Sequence, residues 1–453
     1  MTMQLHDIIE CTIESLAFGG RGVARVEGRV FFVERVVPGQ TVKARITKLS
    51  KRFAEAISVE VIKQSPDFTE PFCRHFGECG GCAHQDVSYA AQLREKQAQV
   101  VDAMARIGKL EFEEVLPILG SPKERNYRNK MEFSFSGKGK GLSLGLRERG
   151  GKTVVDIVTC HLMSEECVTL VNEVREFCRE SGIPAYDPKT QEGFWRHLVV
   201  RESVASGERM AHLITSSGRR HFDVVGSLGD YLTGAWGVDR FVHSTRKSRA
   251  ELAFGEWEVR DMGGRLIEER LQVADRSVRY AISPNAFFQP NSHTAALLYS
   301  TVLEFAGLTG SESVLDLYCG SGGISLALAG HAAKVVGIEL AVASVQNADY
   351  SAKLNNLDNC LFLASDLGEE SGTLKNASRP DVLVVDPPRG GMRPEVVDAI
   401  RTLGPNRVVA VSCDPPALAR DLARLGYRPV KLQAIDQFPQ TPHVECVALL
   451  EKA

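Results

Sequence analysis

SVLDLYCGSGG (residues 313–323) decides how the second half of this chain is read. Val314, Leu315 and Leu317 make a short apolar strand, and Gly320, Gly322 and Gly323 make a tight turn before the helical run ISLALAG. From about residue 283 the same texture repeats. AKVVGIEL, NCLFLASD, DVLVVDPPRGG and NRVVAVSCDP are apolar strands separated by helix-length stretches, with a closing pair around AIDQF and VECVALLEK. Continuous Val/Leu/Ile strands alternating with helices predict a doubly wound, mostly parallel sheet. Ligands of such sheets sit outside the carboxyl ends of the strands. Every chemically distinctive residue of this half falls at such an end.

The turn itself excludes two ligands. A dinucleotide fingerprint would need a third glycine at Ser325, and a phosphate-cradling loop would need a Lys-Ser/Thr after the glycines. A Gly-rich turn with Asp316 near its start and Glu339 ending the next strand suits S-adenosylmethionine. That ligand has no phosphate; its ribose hydroxyls want a carboxylate, and its methionine part wants close backbone, as at Gly320. Asp366 follows the third strand, where an adenine amino group could be met. Asp386 follows the fourth.

Asp386-Pro-Pro-Arg389 differs from the Asp/Asn-Pro-Pro-aromatic motif of amine methylation, where a ring stacks on the base; arginine argues against that chemistry. Cys413 stands at the tip of the fifth strand. A free cysteine is most often a small buried hydrophobe, but a strand-end position in a cofactor crevice opposes that reading. Glu445 comes just before the last strand. A thiol, a carboxylate and a sulfonium methyl donor together suggest methylation of carbon 5 of uracil. That carbon is too weak a nucleophile until a thiolate adds at carbon 6, and a base must then remove the carbon 5 proton. Cys413 is the candidate nucleophile and Glu445 the candidate base.

The first half reads differently. Residues 8–62 alternate in short apolar runs punctuated by Gly19-Gly20 and Pro38-Gly39, which predicts a small β-barrel. Phe18, Arg21, Arg25, Phe31, Arg35, Lys43 and Arg45 interleave aromatic and basic residues, as in barrels that stack and neutralise single strands; core phenylalanines with surface arginines fit the pattern equally. A helix is expected over 86–108 from Leu93, Val100, Val101, Met104 and Ile107. Residues 126–282 read as a separate α+β domain.

At 453 residues two or three domains are expected. Net charge is −3, but residues 1–64 carry +3 and residues 123–152 carry +6, a distribution that fits a polyanion-binding face or a solvated hairpin. The N-terminus lacks a secretory pattern and no apolar stretch nears a membrane span, so a cytoplasmic protein with reduced thiols is expected. CRHFGECGGC (residues 73–82) then raises a metal site above a disulfide, and its three clustered thiols, with a fourth at Cys160, suit zinc as well as iron. His75, His84 and His161 add a Cys-plus-His option.

With SLAFGGRGVAR, CRHFGECGGC, a later cysteine in VVDIVTCHLM, NAFFQPN, DLYCGSGG, DPPRGG, SCDP and TPHVE in this order, the chain resembles the bacterial RNA uracil-5 methyltransferases. Within them it resembles the 23S rRNA branch that carries an N-terminal TRAM domain and an iron–sulfur cluster. The resemblance spans essentially the whole chain. It implies an OB-like TRAM RNA-binding barrel at 1–64 and a central α+β domain with the iron–sulfur loop at 65–282. At 283–453 it implies a C-terminal α/β class I (Rossmann-like) methyltransferase domain. Gln289, Tyr318, Glu339, Asp366 and Asp386 fall at the family's S-adenosylmethionine positions, and Cys413 and Glu445 at its nucleophile and base. Cys73, Cys79, Cys82 and Cys160 fall at the ligands of a 4Fe-4S cluster, with Gly80-Gly81 allowing a tight turn. The other six cysteines are read as packing.

Departures are Gly323 and Asp414 where asparagine is usual, Ala417 where threonine is common, and Ala410 for a frequent aromatic. None removes a group the chemistry needs. The expected protein is a monomer making 5-methyluridine in 23S rRNA. A tRNA T-loop uridine is the alternative substrate, and a non-catalytic iron–sulfur RNA-binding protein the alternative of another class.

Overall fold

The computed structural model describes residues 3–218, 220–264, 266–368, 374 and 376–452. The expected small barrel is present. Its sheet runs Ile8–Thr12, Thr41–Leu49, Phe53–Lys63, Arg29–Glu34, Gly22–Val26, Ser15–Leu16, and the first strand curls back to touch Gly22–Val26. Phe31, Val33, Val42, Ala44 and Ile46 fill it. Phe31 is therefore core and offers no stacking face. Arg25, Lys43 and Lys48 pair with Glu14, Glu60 and Glu55 across the barrel surface.

The central sheet has seven strands, in the order Val154–Asp156, Ser143–Arg147, Lys130–Ser136, Trp195–Glu202, Arg209–Ser216, Arg240–Arg246, Trp257–Met262. Helices Glu165–Glu180 and Phe222–Gly234 bury their apolar faces against it through Leu170, Val174, Val225 and Leu228.

The C-terminal sheet has eight strands, ordered Cys360–Ala364, Lys334–Glu339, Ser313–Leu317, Val382–Val385, Arg407–Ser412, Glu445–Glu451, Arg428–Ile435, Glu114–Leu119. The first five run parallel, as their unbroken apolar character predicts, and Glu445–Glu451 inserts antiparallel. Helices Ser292–Ala306, Gly323–Ala329 and Val342–Leu354 cover one face, with the hairpin Ile267–Val273 and Arg276–Ile282. Pro394–Leu403 and Pro415–Leu425 cover the other. No helix among the described residues is long and apolar enough to cross a membrane.

The last strand of this sheet, Glu114–Leu119, comes from far upstream and lies parallel to Arg428–Ile435. The helix before it joins the same core. Expected over 86–108, it forms an α-helix at Tyr89–Ala103 and then widens into a π-turn at Met104–Gly108. A Cβ at Gly108 would sit 2.9 Å from the Ala419 carbonyl, so the turn lets two helices close up. Val100 and Met104 are buried as the periodicity predicts, but Val101 and Ile107 face solvent. The buried face is partly polar instead: Gln92, Glu95 and Lys96.

Each of these polar groups has a distant partner. Glu95 accepts from the Leu16 amide at 2.7 Å and Gln99 donates to the Leu16 carbonyl, which docks the barrel on the helix. Lys96 Nζ meets Asp436 Oδ1 at 2.6 Å, with both side chains at most 1% exposed. A buried pair of this kind is costly to break from one side, because the other charge stays behind in apolar surroundings. Lys96→Met should therefore cost about 3–5 kcal/mol of unfolding free energy. Adding Asp436→Leu should recover part of it. Urea denaturation of the two variants beside the parent protein reads both values.

Candidate active site

The carboxyl ends of the parallel strands open on one cavity of about 760 Å³. Gln289, Tyr318, Gly320, Glu339, Asp366, Asp386, Cys413 and Glu445 all line it. Strand register explains the last two. Arg407–Ser412 and Glu445–Glu451 are antiparallel with Ser412 opposite Cys446. Cys413 and Glu445 are thus the next pair along, at the same sheet edge. Cys446 Sγ donates to the Ser412 carbonyl at 3.1 Å and pins that register.

The glycine turn wraps the cavity floor. Tyr318 is left-handed (φ 62°), as are Gly320 (53°) and Gly322 (82°). The Gly320 and Ala341 amides donate to the Glu339 carboxylate at 3.2 and 2.9 Å, which holds it at the cavity wall. Asp316 is fully buried; Ser325 Oγ donates to its Oδ2 at 2.5 Å, while Oδ1 has no partner. Ser321 Oγ is likewise buried and unpartnered. Both atoms belong to cavity-lining residues, and a polar ligand would satisfy them. A side chain at Gly323 would collide with the Tyr299 hydroxyl, so the glycine found in place of asparagine goes with that tyrosine. Asp366 pairs with Arg393, and the Gly368 amide and Arg393 hold its carboxyl below the usual range.

The reacting end is acidic. Burial, then the neighbouring Asp386, push Glu445 well above the ordinary carboxyl range, and burial pushes Asp386 to about 7. Two carboxyls in one dry crevice cannot both ionise freely, so the pair retains a proton near neutrality. Burial and then Glu445 raise the Cys413 thiol to about 11, while Arg389 opposes the rise. Arg389 is held by its loop. Met392 N donates to Asp421 Oδ2 at 2.7 Å and Arg420 Nη2 donates to the Gly390 carbonyl at 2.8 Å. Asp414 caps helix Pro415–Leu425 through the Ala417 amide at 2.9 Å, so aspartate serves there as asparagine would. His443 is driven down to about 4 by burial, then by Arg389, and is neutral at pH 7.

Sequence reasoning singled out Gln289 from NAFFQPN but not its neighbours. Phe287, 59% exposed, and Phe288 line both the cavity and an adjoining groove of about 660 Å³. That groove runs from Gly19 of the barrel past Cys82 to His443, between Arg128, Lys130, Arg147 and Arg149. Four cations from the basic stretch 123–152 thus lead to the cavity mouth. These cations and the two phenylalanines lie far apart in sequence, so no local alternation announces the groove.

Cys73, Cys79, Cys82 and Cys160 line a second, small cavity together with His75 and His161. Among the described residues no three His, Cys, Asp or Glu side chains are set to hold a metal ion. Burial raises Cys79 and Cys160 and pushes Cys82 to about 12. The glycines after Cys79 serve close approach: Gly80 donates to the Arg147 carbonyl at 2.8 Å, and a Cβ there would stand 2.9 Å from that oxygen. Arg128 lies beside Cys82 and Cys160, with no carboxylate partner and its Nε buried and unpaired.

The family model for tRNA (uracil-5-)-methyltransferases matches residues 260–453, and that for the TRAM domain matches residues 6–59. The chain is 40% identical to an uncharacterized RNA methyltransferase of Nitratidesulfovibrio vulgaris, over 98% of this chain and 95% of that protein. It is 38% identical to one from Caldanaerobacter subterraneus subsp. tengcongensis over the full length of both. Among solved structures it resembles the Pyrococcus abyssi tRNA (uracil-54, C5)-methyltransferase in complex with S-adenosyl-L-homocysteine. The TM-score is 0.78 at 30% identity, covering 98% of this chain and 100% of that one. With the TRAM barrel, the strand-end cavity and full-length relatives in agreement, the chain belongs to the RNA uracil-5 methyltransferase family.

Proposed function

We propose that this protein methylates carbon 5 of a uridine in 23S rRNA, with S-adenosylmethionine as donor, Cys413 as nucleophile and Glu445 as base. The observation that carries this reading is the meeting of Cys413 and Glu445 in one cavity with the six expected donor-binding residues. Gln289, Tyr318, Gly320, Glu339, Asp366 and Asp386 would hold the donor. The unpartnered Asp316 and Ser321 oxygens fit a ligand rich in hydroxyl and amino groups. When bound, the donor supplies an electrophilic methyl group.

The residues of the chain do the rest. Cys413, as thiolate, adds to carbon 6 of the uracil and pushes an electron pair toward carbon 5. Arg389 favours that thiolate, against the burial that keeps the thiol protonated in the empty site. Once carbon 5 carries the new methyl group, Glu445 accepts the carbon 5 proton. The carbon 6–sulfur bond then breaks, the ring double bond re-forms and the thiolate is restored. Of the two carboxyls Glu445 is the more proton-seeking, so in its ionised form it is the stronger base for this late step.

Cys73, Cys79, Cys82 and Cys160 are proposed to hold a 4Fe-4S cluster. Arg128, a half-buried cation beside two of the thiols, with its Nε buried and no carboxylate partner among the described residues, suits the negative charge of four thiolates. Such a cluster would clamp the loop to the central sheet; methyl transfer needs no electron from it. A tRNA uridine is the second reading of the substrate, favoured by the likeness to the Pyrococcus abyssi enzyme over 98% of this chain.

Cells lacking the gene should lose 5-methyluridine at one or more positions of 23S rRNA, mapped by mass spectrometry of RNA fragments. Loss from tRNA with intact rRNA would select the second reading. Cys413→Ala should form no covalent complex with labelled RNA, while Glu445→Gln should accumulate a methylated adduct visible as a shifted band on a denaturing gel. Normal turnover by either variant would overturn its assigned role. Protein purified without oxygen should carry about four irons per chain; stoichiometric zinc without iron would refute the cluster.

The thiol should be quiet without substrate. Alkylation of the Cys413 peptide, followed by mass spectrometry, should rise toward a midpoint near pH 11. Glu445→Gln should move that midpoint down, because a like charge is removed, and Arg389→Met should move it up.

A further inference from the structure

The segment 436–443 leads into the strand that begins at Glu445, and nearly all of its grips come from outside the C-terminal domain's own strands. Lys96 Nζ donates to Asp436 Oδ1 at 2.6 Å and to the Phe438 carbonyl at 3.0 Å. The Tyr127 hydroxyl donates to the Pro439 carbonyl at 3.0 Å. At Gln440 the grip is fullest. The amides of Ala83 and His84, directly after Cys82, both donate to its carbonyl, at 2.9 and 3.1 Å. Its own amide donates to Gln92 Oε1 at 2.9 Å, and Gln92 Nε2 donates to its side-chain oxygen at 3.0 Å.

Gln440 is 3% exposed and left-handed, at φ 68°. A non-glycine residue holds that conformation only where its surroundings over-determine it, and such residues gather at functional sites. Here the surroundings are the cysteine loop and the helix Tyr89–Ala103. Gly20 of the barrel closes over the same point: a Cβ there would be 2.9 Å from the His84 ring and 3.2 Å from Pro442. Cys413 is placed by other means, through strand Arg407–Ser412 and the Asp414 cap. Gln437, which donates to Gln289 Oε1 at 3.1 Å, is held separately by Asn291 and Thr294.

We propose that Gln440 is a positioning residue for removal of the carbon 5 proton: its left-handed turn, imposed by the amides after Cys82, sets where Glu445 enters the cavity. This rests on the roles of Cys413 and Glu445 given above. The cysteine loop thereby acts on the late step of the reaction, while Cys413, which adds to carbon 6, is placed by strand Arg407–Ser412 and the Asp414 cap.

The test uses the full-length protein and two transcripts of the same RNA, one with uridine and one with 5-fluorouridine at the target. With fluorine at carbon 5 no proton can be removed, so the carbon 6–sulfur and carbon 5–methyl bonds form and the complex stays covalent. Gln440→Val, whose branched side chain disfavours a left-handed backbone, should trap 5-fluorouridine RNA at the parent rate. On uridine RNA its turnover should fall about tenfold or more, the scale set by misplacing a reacting group, with adduct accumulating. Gln440→Gly keeps the turn and should restore most of the turnover. Amide exchange at Ala83 and His84 should quicken in the valine variant.

Parallel loss of trapping and turnover in Gln440→Val and Gln440→Gly, or parent-like turnover in the valine variant, would overturn the proposal. If the parent protein itself forms no adduct with 5-fluorouridine RNA, the Cys413 reading fails, and this inference with it. The two failures are distinct.

Discussion

The ion pair between Lys96 and Asp436 is the point on which the rest of the molecule leans. Neither charge can reach water, so each must find the other, and the two lie 340 residues apart in the chain. Their meeting fixes the helix Tyr89–Ala103 against the segment before Glu445. The same helix docks the barrel through Glu95 and Gln99 and closes the sheet core through Val100 and Ala103. Apolar residues of equal volume would often serve stability as well. A charged pair adds a requirement that hydrophobic packing lacks: one register satisfies it and neighbouring registers do not.

The crevice shows a second economy of charge. Burial disfavours ionisation of Cys413, Asp386 and Glu445 alike, so the site holds a protonated thiol and a shared carboxyl proton. Arg389 is the cation that draws on both Cys413 and Glu445. A thiolate exposed at all times would be open to oxidation, whereas a thiol near 11 is not. Burial, reinforced by the Glu445 carboxyl, therefore keeps the Cys413 thiol protonated.

Much of the C-terminal domain was legible because parallel strands buried on both faces read as unbroken apolar runs, and because strand ends are where chemistry collects. All eight expected residues line one cavity for that reason, and the four expected cysteines line another. What failed was any inference needing a partner far along the chain. Periodicity placed Val101 and Ile107 inside the helix face, yet both are exposed, while Lys96 and Gln92 are buried because Asp436 and Gln440 await them. Strand Glu114–Leu119 joins a sheet whose other members begin at residue 313, which no local pattern announces. Phe31 fitted a stacking platform or a core equally well by alternation; only barrel closure decided it.

The upstream strand and helix also bear on how the protein is made. At about 5–20 residues per second of synthesis, Lys96 waits for Asp436 on the order of 20–70 seconds. Throughout that time Lys96 lacks its carboxylate partner, and the edge strand Glu114–Leu119 has no sheet to join. Barrel and central sheet can order themselves as they emerge, but Lys96 and strand Glu114–Leu119 stay unpaired until Arg428–Ile435 and Asp436 have been made. Docking of the upstream strand and ordering of the segment before Glu445 are thus late and linked events, set by how far apart in sequence their partners lie.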